Sequence, residues 1–238
     1  MVQAKKTTFI SVVVPTYNEE SSIGRCLTAL KNQTFPQKDY EIIVVDNNST
    51  DRTTQIVRKI GVKVFSEKKQ GYVFALIKGC SRAKGEIIAI TDADTLVPRD
   101  WLEKIYQAFQ QNPQVVYLGG KAIFKPKTFL SILIEPVWNF GCWLLRLGPG
   151  FNLAIKRDVY QKTGGFRKEI NFDTDVDFCL RARKEGKVVF LWDNPVVSSS
   201  RHFQGPKGFV YCLKGAINII SLFLFEKAPF FQFGEVRG

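Results

Sequence analysis

The sequence predicts an α/β fold with a central, mostly parallel β-sheet and helices on both of its faces. Short apolar runs of strand length alternate with segments of helix length through the first half of the chain. These runs are apolar throughout rather than at every second position, which is typical of parallel strands buried on both faces. No repeat and no linker-like segment separates the two halves, so one sheet is expected to extend through both.

The predicted elements follow a regular order in the first half of the chain and a less regular one in the second. In the first half, strands are expected at residues 10–14, 41–45, 62–65 and 87–90, and helices at 22–31, 52–60, 71–83 and 100–111. The last of these helices opens with Asp100 and Glu103, which are spaced as in an N-terminal cap. In the second half, strands are expected at 115–118, 152–155 and 188–191, and helices at 157–162, 175–185 and 206–225.

Composition and charge indicate a globular protein with an anionic partner. Of the 238 residues, 45% are hydrophobic and 24% are charged, which excludes a disordered tail, a collagen-like fibre and a coiled coil. The net charge of +12 favours nucleic acid, acidic lipid headgroups or a phosphorylated ligand. Five scattered cysteines fit a reducing compartment and places in the core. No uninterrupted apolar run approaches the ~20 residues of a membrane-spanning helix, so no spanning segment is predicted.

Polar clusters follow three of the predicted strands, at residues 15–19, 46–49 and 92–94. In an open α/β sheet, ligands bind at the carboxyl ends of the strands. Each cluster alone is equally typical of a turn with a helix cap, but three at consecutive strand ends favour a binding rim. Asp92 and Asp94 are two residues apart, so in an extended segment both carboxylates point to one side. Such hard oxygen donors suit Mg²⁺ or Mn²⁺ with bound phosphate oxygens.

Phosphate binding by a glycine-rich loop is not expected, because the chain has neither GxGxxG nor GxxxxGK[ST]. A metal and basic side chains would then hold the phosphates. Lys68, Lys69 and Gly71 are candidates, since glycine lets a backbone approach closely. A solvated lysine pair before a helix explains the same residues equally well.

Six blocks, in order, resemble glycosyltransferase family 2, which has the GT-A fold, a Rossmann-like sandwich. They are VVPTYNEE at 13–20, IVVDNNSTD at 43–51, TDAD at 91–94, NLAIKR at 152–157, GGF at 164–166 and FDTDVDFCLR at 172–181. The resemblance covers about residues 9–200. Two positions depart from the family pattern, because Asn47 replaces a second acid after Asp46, and Thr174 replaces the glutamate before Asp175.

The resemblance implies an enzyme that uses a nucleotide sugar. It places the base and ribose among Pro15, Thr16, Tyr17, Glu19 and Asp46. It also implies that Asp92 and Asp94 hold a metal with the donor diphosphate, and that Asp175 is the general base. His202, the only histidine, lies where many GT-A enzymes have a third metal ligand, although an ordinary surface or core histidine is as good an interpretation. Arg201 beside it is a candidate contact of the diphosphate.

The acids at 173, 175 and 177 crowd the start of a predicted helix. Acids there stabilise the helix dipole, so a structural role is expected for two of the three. The same dipole is expected to keep a carboxylate ionised, and an ionised carboxylate can accept a proton from an attacking hydroxyl.

The C-terminal segment is predicted to be an amphipathic helix with a narrow polar stripe. The stripe consists of Lys207, Tyr211, Lys214, Asn218 and Ser221, and the other side chains, with those at 230, 231 and 233, are mostly apolar. Either the helix packs on the domain or it lies in a membrane interface, where the aromatic segment 129–147 could join it. We therefore expect a GT-A domain at 1–205, with a nucleotide half near 9–95 and an acceptor half near 96–205, followed by a membrane-associated segment at 206–238.

These observations predict an inverting, metal-assisted glycosyltransferase. It would move a sugar from a UDP- or GDP-linked donor to a membrane-bound lipid or lipid-linked glycan, on the cytoplasmic face of an anionic membrane. One alternative is a sugar-nucleotidyltransferase, although the glycine-rich basic motif of that class is missing. Another is a basic nucleic-acid-binding module, but no RNA-recognition motif is present, and no nucleic-acid partner is predicted.

Overall fold

The computed structural model describes residues 9–170 and 172–225. Its strands are β1 (Ile10–Thr16), β2 (Tyr40–Asp46), β3 (Lys63–Ser66), β4 (Ile87–Ile90), β5 (Val115–Lys125), β6 (Leu153–Lys156) and β7 (Lys187–Ser199). The helices are α1 (Ile23–Lys31), α2 (Thr53–Ile60), α3 (Tyr72–Arg82), α4 (Trp101–Gln111), α5 (Phe129–Leu144), α6 (Arg157–Lys162), α7 (Thr174–Ala182) and α8 (Gly205–Phe225).

The seven strands form one sheet in the order β3-β2-β1-β4-β6-β5-β7. Strands β1 to β4 are parallel to one another, β6 is antiparallel to both β4 and β5, and β7 is parallel to β5. Of the described strands, only β6 therefore runs against the rest. This confirms the predicted mostly parallel sheet shared by both halves of the chain.

Helices cover both faces of the sheet, and alternate side chains of each central strand pack under the helices of one face or the other. Val12 and Val14 of β1 pack with α1, α2 and α4, whereas Val13 packs with α3. Side chains of successive strand residues point to opposite faces, so a fully apolar strand needs a helical layer on each side. The apolar runs in the sequence predicted this arrangement.

Several boundaries differ from the sequence-based expectations. Strands β5 and β7 have 11 and 13 residues, because they continue to pair with each other beyond the rest of the sheet. Asp100 precedes α4 but makes no capping hydrogen bond. Its carboxylate pairs instead with Lys104 at 2.9 Å.

The five cysteines are all free thiols, and four are buried in the core as expected: Cys26, Cys80, Cys142 and Cys179. The fifth, Cys212 on α8, is only partly buried.

Helix α8 corrects the prediction that no segment could span a membrane. It has 21 residues, and among the described helices it is the one long and apolar enough to cross a bilayer. Isolated polar residues interrupt the apolar run in the sequence, but the helix continues through them. The expected apolar residues at 230, 231 and 233 lie outside the described part of the chain.

Most of the polar stripe of α8 faces the protein: Tyr211, Lys214, Asn218 and Ser221 are buried or half-buried, whereas Lys207 at the start of the helix is exposed. Asn218 is fully buried and donates to the Asp173 carboxylate at 2.8 Å. Tyr211 stacks on His202 with 5.0 Å between the ring centroids. The exposed side is apolar and includes Phe209, Val210, Leu213, Ile217, Ile220, Phe223, Leu224 and Phe225. Helix α8 thus packs on the protein mainly through its polar side and exposes its apolar side, which is the reverse of an ordinary amphipathic helix on a soluble domain.

Helix α5 is inverted in the same way. Its Asn139 is buried. The side-chain oxygen of Asn139 accepts from Ala122 N–H at 2.8 Å, and its side-chain nitrogen donates to the Ala122 carbonyl oxygen at 2.9 Å. Glu135 accepts from the Phe124 N–H at 2.7 Å. The outward side chains of α5 are Phe129, Ile132, Leu133, Val137, Phe140, Trp143 and Leu144. We call the exposed apolar side chains of α5 and α8 the apolar surface.

Candidate active site

The carboxyl ends of the parallel strands open into two adjoining cavities. The first, of about 170 Å³, lies over β1, β2 and β4, and the second, of about 100 Å³, extends toward α7 and α8. Tyr72, Asp92 and Arg201 line both cavities. Two of the three polar clusters predicted as a binding rim, 15–19 and 92–94, contribute several lining residues, and the third contributes Asn47.

The first cavity contains several of the residues predicted to bind the nucleotide: Pro15, Thr16, Tyr17, Glu19, Gly71 and Asp92. The Thr16 hydroxyl is buried without a hydrogen-bond partner, as is Oδ1 of Asp46 just behind it. Buried polar atoms are normally paired, so unpaired ones at a cavity point to a polar ligand. This chemistry fits the hydroxyl and amide groups of a nucleoside.

Asn47, one of the departures from the family pattern, holds the loop at residues 67–71. Its amide nitrogen donates to the carbonyl oxygens of Glu67 and Lys69 at 2.9 and 2.7 Å, and its oxygen accepts from Gly71 N–H at 2.7 Å. An ionised aspartate could accept but not donate. The asparagine therefore positions the loop that closes one side of the first cavity.

Lys69 and Asp46 do not line either cavity. The Lys69 ammonium lies 4.1 Å from the centre of the Phe74 ring, a cation–π contact. Asp46 accepts a 3.3 Å hydrogen bond from Ser49 N–H. Of the candidate phosphate-binding residues Lys68, Lys69 and Gly71, Gly71 lines the first cavity. Its φ of 134° lies in the region that favours glycine.

Arg201 links the amino-terminal and carboxy-terminal parts of the site. Its guanidinium lies 2.5 Å from Glu19 Oε1 and 3.0 Å from Asp94 Oδ2. The other oxygen of Glu19 accepts from the Ser22 hydroxyl at 2.6 Å. Both oxygens of Glu19 are thus engaged within the protein, and the structure gives this residue the role of holding Arg201 between the two cavities.

The predicted metal ligands share the second cavity without forming a ready-made cluster. Asp92, Asp94 and His202 all line it. Among the described residues, however, no three His, Cys, Asp or Glu side chains lie close enough to hold an ion together. Tyr72 donates to Asp92 Oδ1 at 2.9 Å. Two carboxylates at one cavity still fit Mg²⁺ or Mn²⁺, because such ions complete their shell with water and substrate phosphates.

The three acids at the start of α7 have different surroundings. Asp177 is buried and paired with Arg167 and Arg181, so its role is structural. Asp175 lines the second cavity. Asp173 also lines it, has a φ of 54° and accepts from Asn218.

Burial decides the pKa values of the two cavity acids. It raises the pKa of Asp175 to about 6. For Asp173, burial and the neighbouring charge of Asp175 raise the pKa to about 8. Backbone N–H groups of Val176 and Gly150 act in the opposite direction on Asp175, as the helix dipole argument expected, but they are outweighed. At pH 7 Asp175 is therefore mostly ionised and Asp173 mostly protonated.

Comparison with known proteins now identifies the family. The model of glycosyl transferase family 2 matches residues 11–179, which is more than half of the chain. The chain belongs to glycosyl transferase family 2.

Relatives and solved structures agree with this assignment. A dolichyl N-acetyl-alpha-D-glucosaminyl phosphate 3-beta-D-2,3-diacetamido-2,3-dideoxy-beta-D-glucuronosyltransferase of Methanococcus voltae is 28% identical, over 91% of this chain and 78% of its own length. Glycosyltransferase AglE of Haloferax volcanii is also 28% identical, over 75% of this chain and 62% of its own. Mannosyltransferase PcManGT of Pyrobaculum calidifontis, solved with GDP-Man and Mn²⁺, superposes with a TM-score of 0.74 at 25% identity, covering 94% of this chain and 67% of that one. The family 2 chain therefore has the GT-A fold.

Three aromatic residues at this family 2 site were not predicted from the sequence. Tyr72 binds Asp92, Tyr211 stacks on His202, and Trp138 lines the second cavity. Tyr72 was detectable, because it opens a predicted helix directly after Gly71. Tyr211 belongs to a polar stripe, which predicts a helix face and not a place in the site. No pattern in the sequence around Trp138 predicts that its side chain points inward.

Proposed function

We propose that this chain is an inverting glycosyltransferase that moves a sugar from a UDP- or GDP-linked donor to a membrane-bound lipid or lipid-linked glycan. One observation carries the proposal. The first cavity, at which the Thr16 hydroxyl is buried and unpaired, meets the second at Asp92 and Arg201, and the second contains Asp175. A nucleotide in the first cavity would direct its diphosphate toward that junction, and an acceptor would enter the second.

The donor diphosphate would be bound by opposite charges at the junction. Asp92 and Asp94 would hold a divalent metal, and His202, which lines the same cavity, is the proposed third protein ligand. When bound, the metal would offset charge that develops on the departing diphosphate. Arg201 would contact the diphosphate directly, because its guanidinium already lies between the two cavities.

Asp175 would act as the general base for a hydroxyl acceptor. With a pKa of about 6, it is ionised at neutral pH and still basic enough to take a proton as the hydroxyl attacks. Attack from the side opposite the diphosphate would invert the anomeric carbon. A phosphate acceptor is already a nucleophile, and for that class the contribution of Asp175 would be small.

The apolar surface supports an acceptor in the membrane. Polar side chains of α5 and α8 such as Ser131, Asn139 and Asn218 are buried in the protein, whereas most of the outward side chains are apolar. Contacts with the domain extend along α8, from Tyr211 on His202 through Asn218 on Asp173 to Phe223 beneath Arg183. A helix held along its length in this way would lie in the membrane interface rather than cross it. Residues 1–205 would then form the catalytic domain and 206–238 a segment bound to the cytoplasmic face of the membrane.

One relative supports the proposed acceptor class, and one solved structure supports the proposed donor and metal. The Methanococcus voltae enzyme is named for a dolichyl phosphate-linked sugar, and PcManGT was solved with GDP-Man and Mn²⁺. These properties belong to those proteins and motivate the choice of probes.

The test is a thermal-shift panel of UDP, GDP and their sugars with Mn²⁺, with Mg²⁺ and with EDTA. At a concentration about 100 times its dissociation constant, a bound nucleotide should stabilise the fold by about 2.7 kcal/mol. We expect stabilisation by one nucleotide class, only with metal. The positive donor is then incubated with lipid extracts and transfer of labelled sugar is measured. Stabilisation by a nucleoside triphosphate with a sugar 1-phosphate, and release of pyrophosphate, would instead indicate a nucleotidyltransferase. Tight, salt-dependent binding of RNA with no nucleotide response would contradict both enzymatic proposals.

A further inference from the structure

A third cavity lies between α5, α7 and α8, behind the acids of the acceptor side. It has a volume of about 160 Å³ and almost entirely apolar walls, formed by residues that include Val137, Cys142, Leu147, Val176 and Ile219. Its polar side chains are gathered at one end, where Asp173 and Asp175 line both this cavity and the second one. The cavity therefore ends at the proposed base.

The opposite end of the third cavity reaches the apolar surface. Val137 and Leu145 line the cavity and are exposed by 68% and 42%, whereas Leu147 and Val176 deeper inside are buried. An apolar path thus leads from the surface that we propose to face the membrane to the carboxylate of Asp175. Water would gain few hydrogen bonds along such walls, and apolar cavities of this size stay dry or take up apolar molecules.

Trp138 marks the boundary between the apolar path and the polar cleft. It lines both the second and the third cavity, and its indole N–H is buried without a hydrogen-bond partner. Tryptophan combines a large apolar ring with a single donor that is normally paired when buried. An unpaired donor at this place is suited to an oxygen atom that adjoins a hydrocarbon chain.

We propose that the third cavity binds the hydrocarbon segment of the acceptor that adjoins its reacting group, with Trp138 donating to an oxygen at the polar end. This rests on the proposed function and specifies how a membrane lipid presents its nucleophile to Asp175. An apolar cavity of about 150 Å³ holds a molecule the size of benzene, so about six carbon atoms fit. The rest of the chain leaves between Val137 and Leu145 and lies along the apolar surface.

The chain offers a matched pair of glycines for testing this subsite. Gly141 on α5 lines the third cavity, and a Cβ built there meets no other atom within 4 Å. Gly141→Leu therefore reduces the cavity without an initial clash, and Gly141→Ala reduces it less. Gly24 on α1 is helical, lines none of the three cavities and has its nearest neighbour 3.7 Å from the built Cβ. Gly24→Leu reproduces the gain in helix propensity and leaves the cavity unchanged.

The experiment measures binding of ω-trifluoromethyl 1-alkanols with three to eight carbons by ¹⁹F NMR, on the full chain in nanodiscs of one lipid composition. Partition into the bilayer is the same for every variant, so differences between variants report the cavity. We expect affinity, referred to the free alkanol in water, to rise about fourfold per methylene up to about six carbons and then to level off. Gly141→Leu should abolish this dependence, Gly141→Ala should weaken it, and Gly24→Leu should leave it unchanged. Trp138→Phe should keep the dependence on chain length and lower the affinity for every alkanol by about two- to tenfold.

Competition against the bound alkanol then distinguishes lipid acceptors with a hydroxyl head from those with a phosphate head. Decyl glucoside carries a hydroxyl head and citronellyl phosphate a phosphate head, and displacement by either one assigns the acceptor chemistry. Equal alkanol binding by wild type and Gly141→Leu, or displacement by neither amphiphile, would overturn the proposal. Metal-dependent nucleotide binding is measured on the same samples. If the nucleotide binds and the alkanols do not, only this subsite fails, whereas loss of nucleotide binding in the wild type would refute the proposed function itself.

Discussion

At the scale of single residues, surroundings separate three aspartates that look alike in the sequence. Asp177 is neutralised by Arg167 and Arg181, whereas Asp173 and Asp175 line the second cavity. Burial favours the protonated form of a carboxyl group, and a nearby cation favours the ionised form. At neutral pH Asp175 is therefore mostly ionised and Asp173 mostly protonated, whereas Asp177 has a structural role in its ion pairs.

Asp175→Asn tests the proposed base. The amide keeps the shape of the carboxylate but cannot accept a proton, so we expect transfer to a hydroxyl acceptor to fall by about 10²–10⁴. Nucleotide affinity should stay within about twofold, because Asp175 does not line the first cavity. Steady-state kinetics and thermal shift measure the two effects. Asp158→Asn on α6, outside both cavities, is the control, and a threefold or smaller loss at 175 would eliminate Asp175 as the base.

The raised pKa values predict opposite pH dependences for activity and stability. Transfer to a hydroxyl acceptor should rise with pH through about 6, as Asp175 ionises. The free energy of unfolding of the metal-free protein should fall as pH rises from about 4 to 8. A folded-state pKa raised above the unfolded value gives stability that is present below the unfolded pKa and lost through the folded one. Asp173→Asn should remove the part of this fall between about pH 6 and 8, as measured by urea unfolding. A flat stability curve in the wild type would contradict the assignment.

Asp94→Ala tests the metal site. We expect loss of metal-dependent nucleotide stabilisation and of transfer, because Asp94 would be a direct ligand of the ion. Folding should be preserved, since Arg201 keeps its bond to Glu19. Asp100→Ala removes an exposed carboxylate that pairs with Lys104 and serves as the control. Wild-type turnover by Asp94→Ala would place the metal elsewhere.

At the scale of elements, α7 is anchored by its buried ion pairs and α8 by its polar residues. Arg181 donates to the carbonyl groups of Thr163 and Gly165 as well as to Asp177, and so ties α7 to the turn after α6. Asn218 ties α8 to Phe172 and Asp173. The start of α7 is thus held by α8 on one side and by the turn after α6 on the other.

Asp177→Ala should destabilise the protein by about 3–5 kcal/mol. Removing one partner of a buried pair leaves the other charge uncompensated, and Arg181 is only 19% exposed. Chemical unfolding measures the change. We expect any folded Asp177→Ala protein to retain nucleotide binding, and a variant of wild-type stability would show that these ion pairs contribute nothing to α7.

At the scale of the whole molecule, net charge and exposed apolar side chains support the proposal that one side of the protein faces a membrane. The chain carries a net charge of +12, and the exposed apolar side chains of α5 and α8 are concentrated on two helices rather than scattered singly as on most soluble proteins. Basic residues attract an anionic bilayer by about 1 kcal/mol each, while inserted apolar side chains add a part that salt does not screen. Binding should weaken with salt and not vanish.

Co-sedimentation with anionic and neutral liposomes checks this expectation. Substituting Leu213, Ile217 and Ile220, which are exposed by 44–58%, with glutamine should reduce binding to both liposome types by at least tenfold, because each contributes up to about 1.5–3 kcal/mol when buried. Substituting Lys207, the exposed lysine of α8, with glutamine should reduce binding to the anionic type only. Nucleotide-dependent thermal shifts confirm folding. A folded wild-type protein that stays in the supernatant with anionic liposomes at low salt would refute membrane association.

The sequence by itself determined the α/β class, the order of the elements and the rim of polar residues at the strand ends. These features depend on local patterns, because an apolar run of strand length and a helical period are set by neighbours in the chain. Tertiary structure decided the partners of Arg201, which lies 182 residues from Glu19, the raised pKa values at 173 and 175, and the use of Asn47 to hold a loop. It also decided which side of α8 faces the protein. A polar stripe predicts only that a helix has two sides, and the buried hydrogen-bond partners that attract the stripe belong to residues more than 40 positions away.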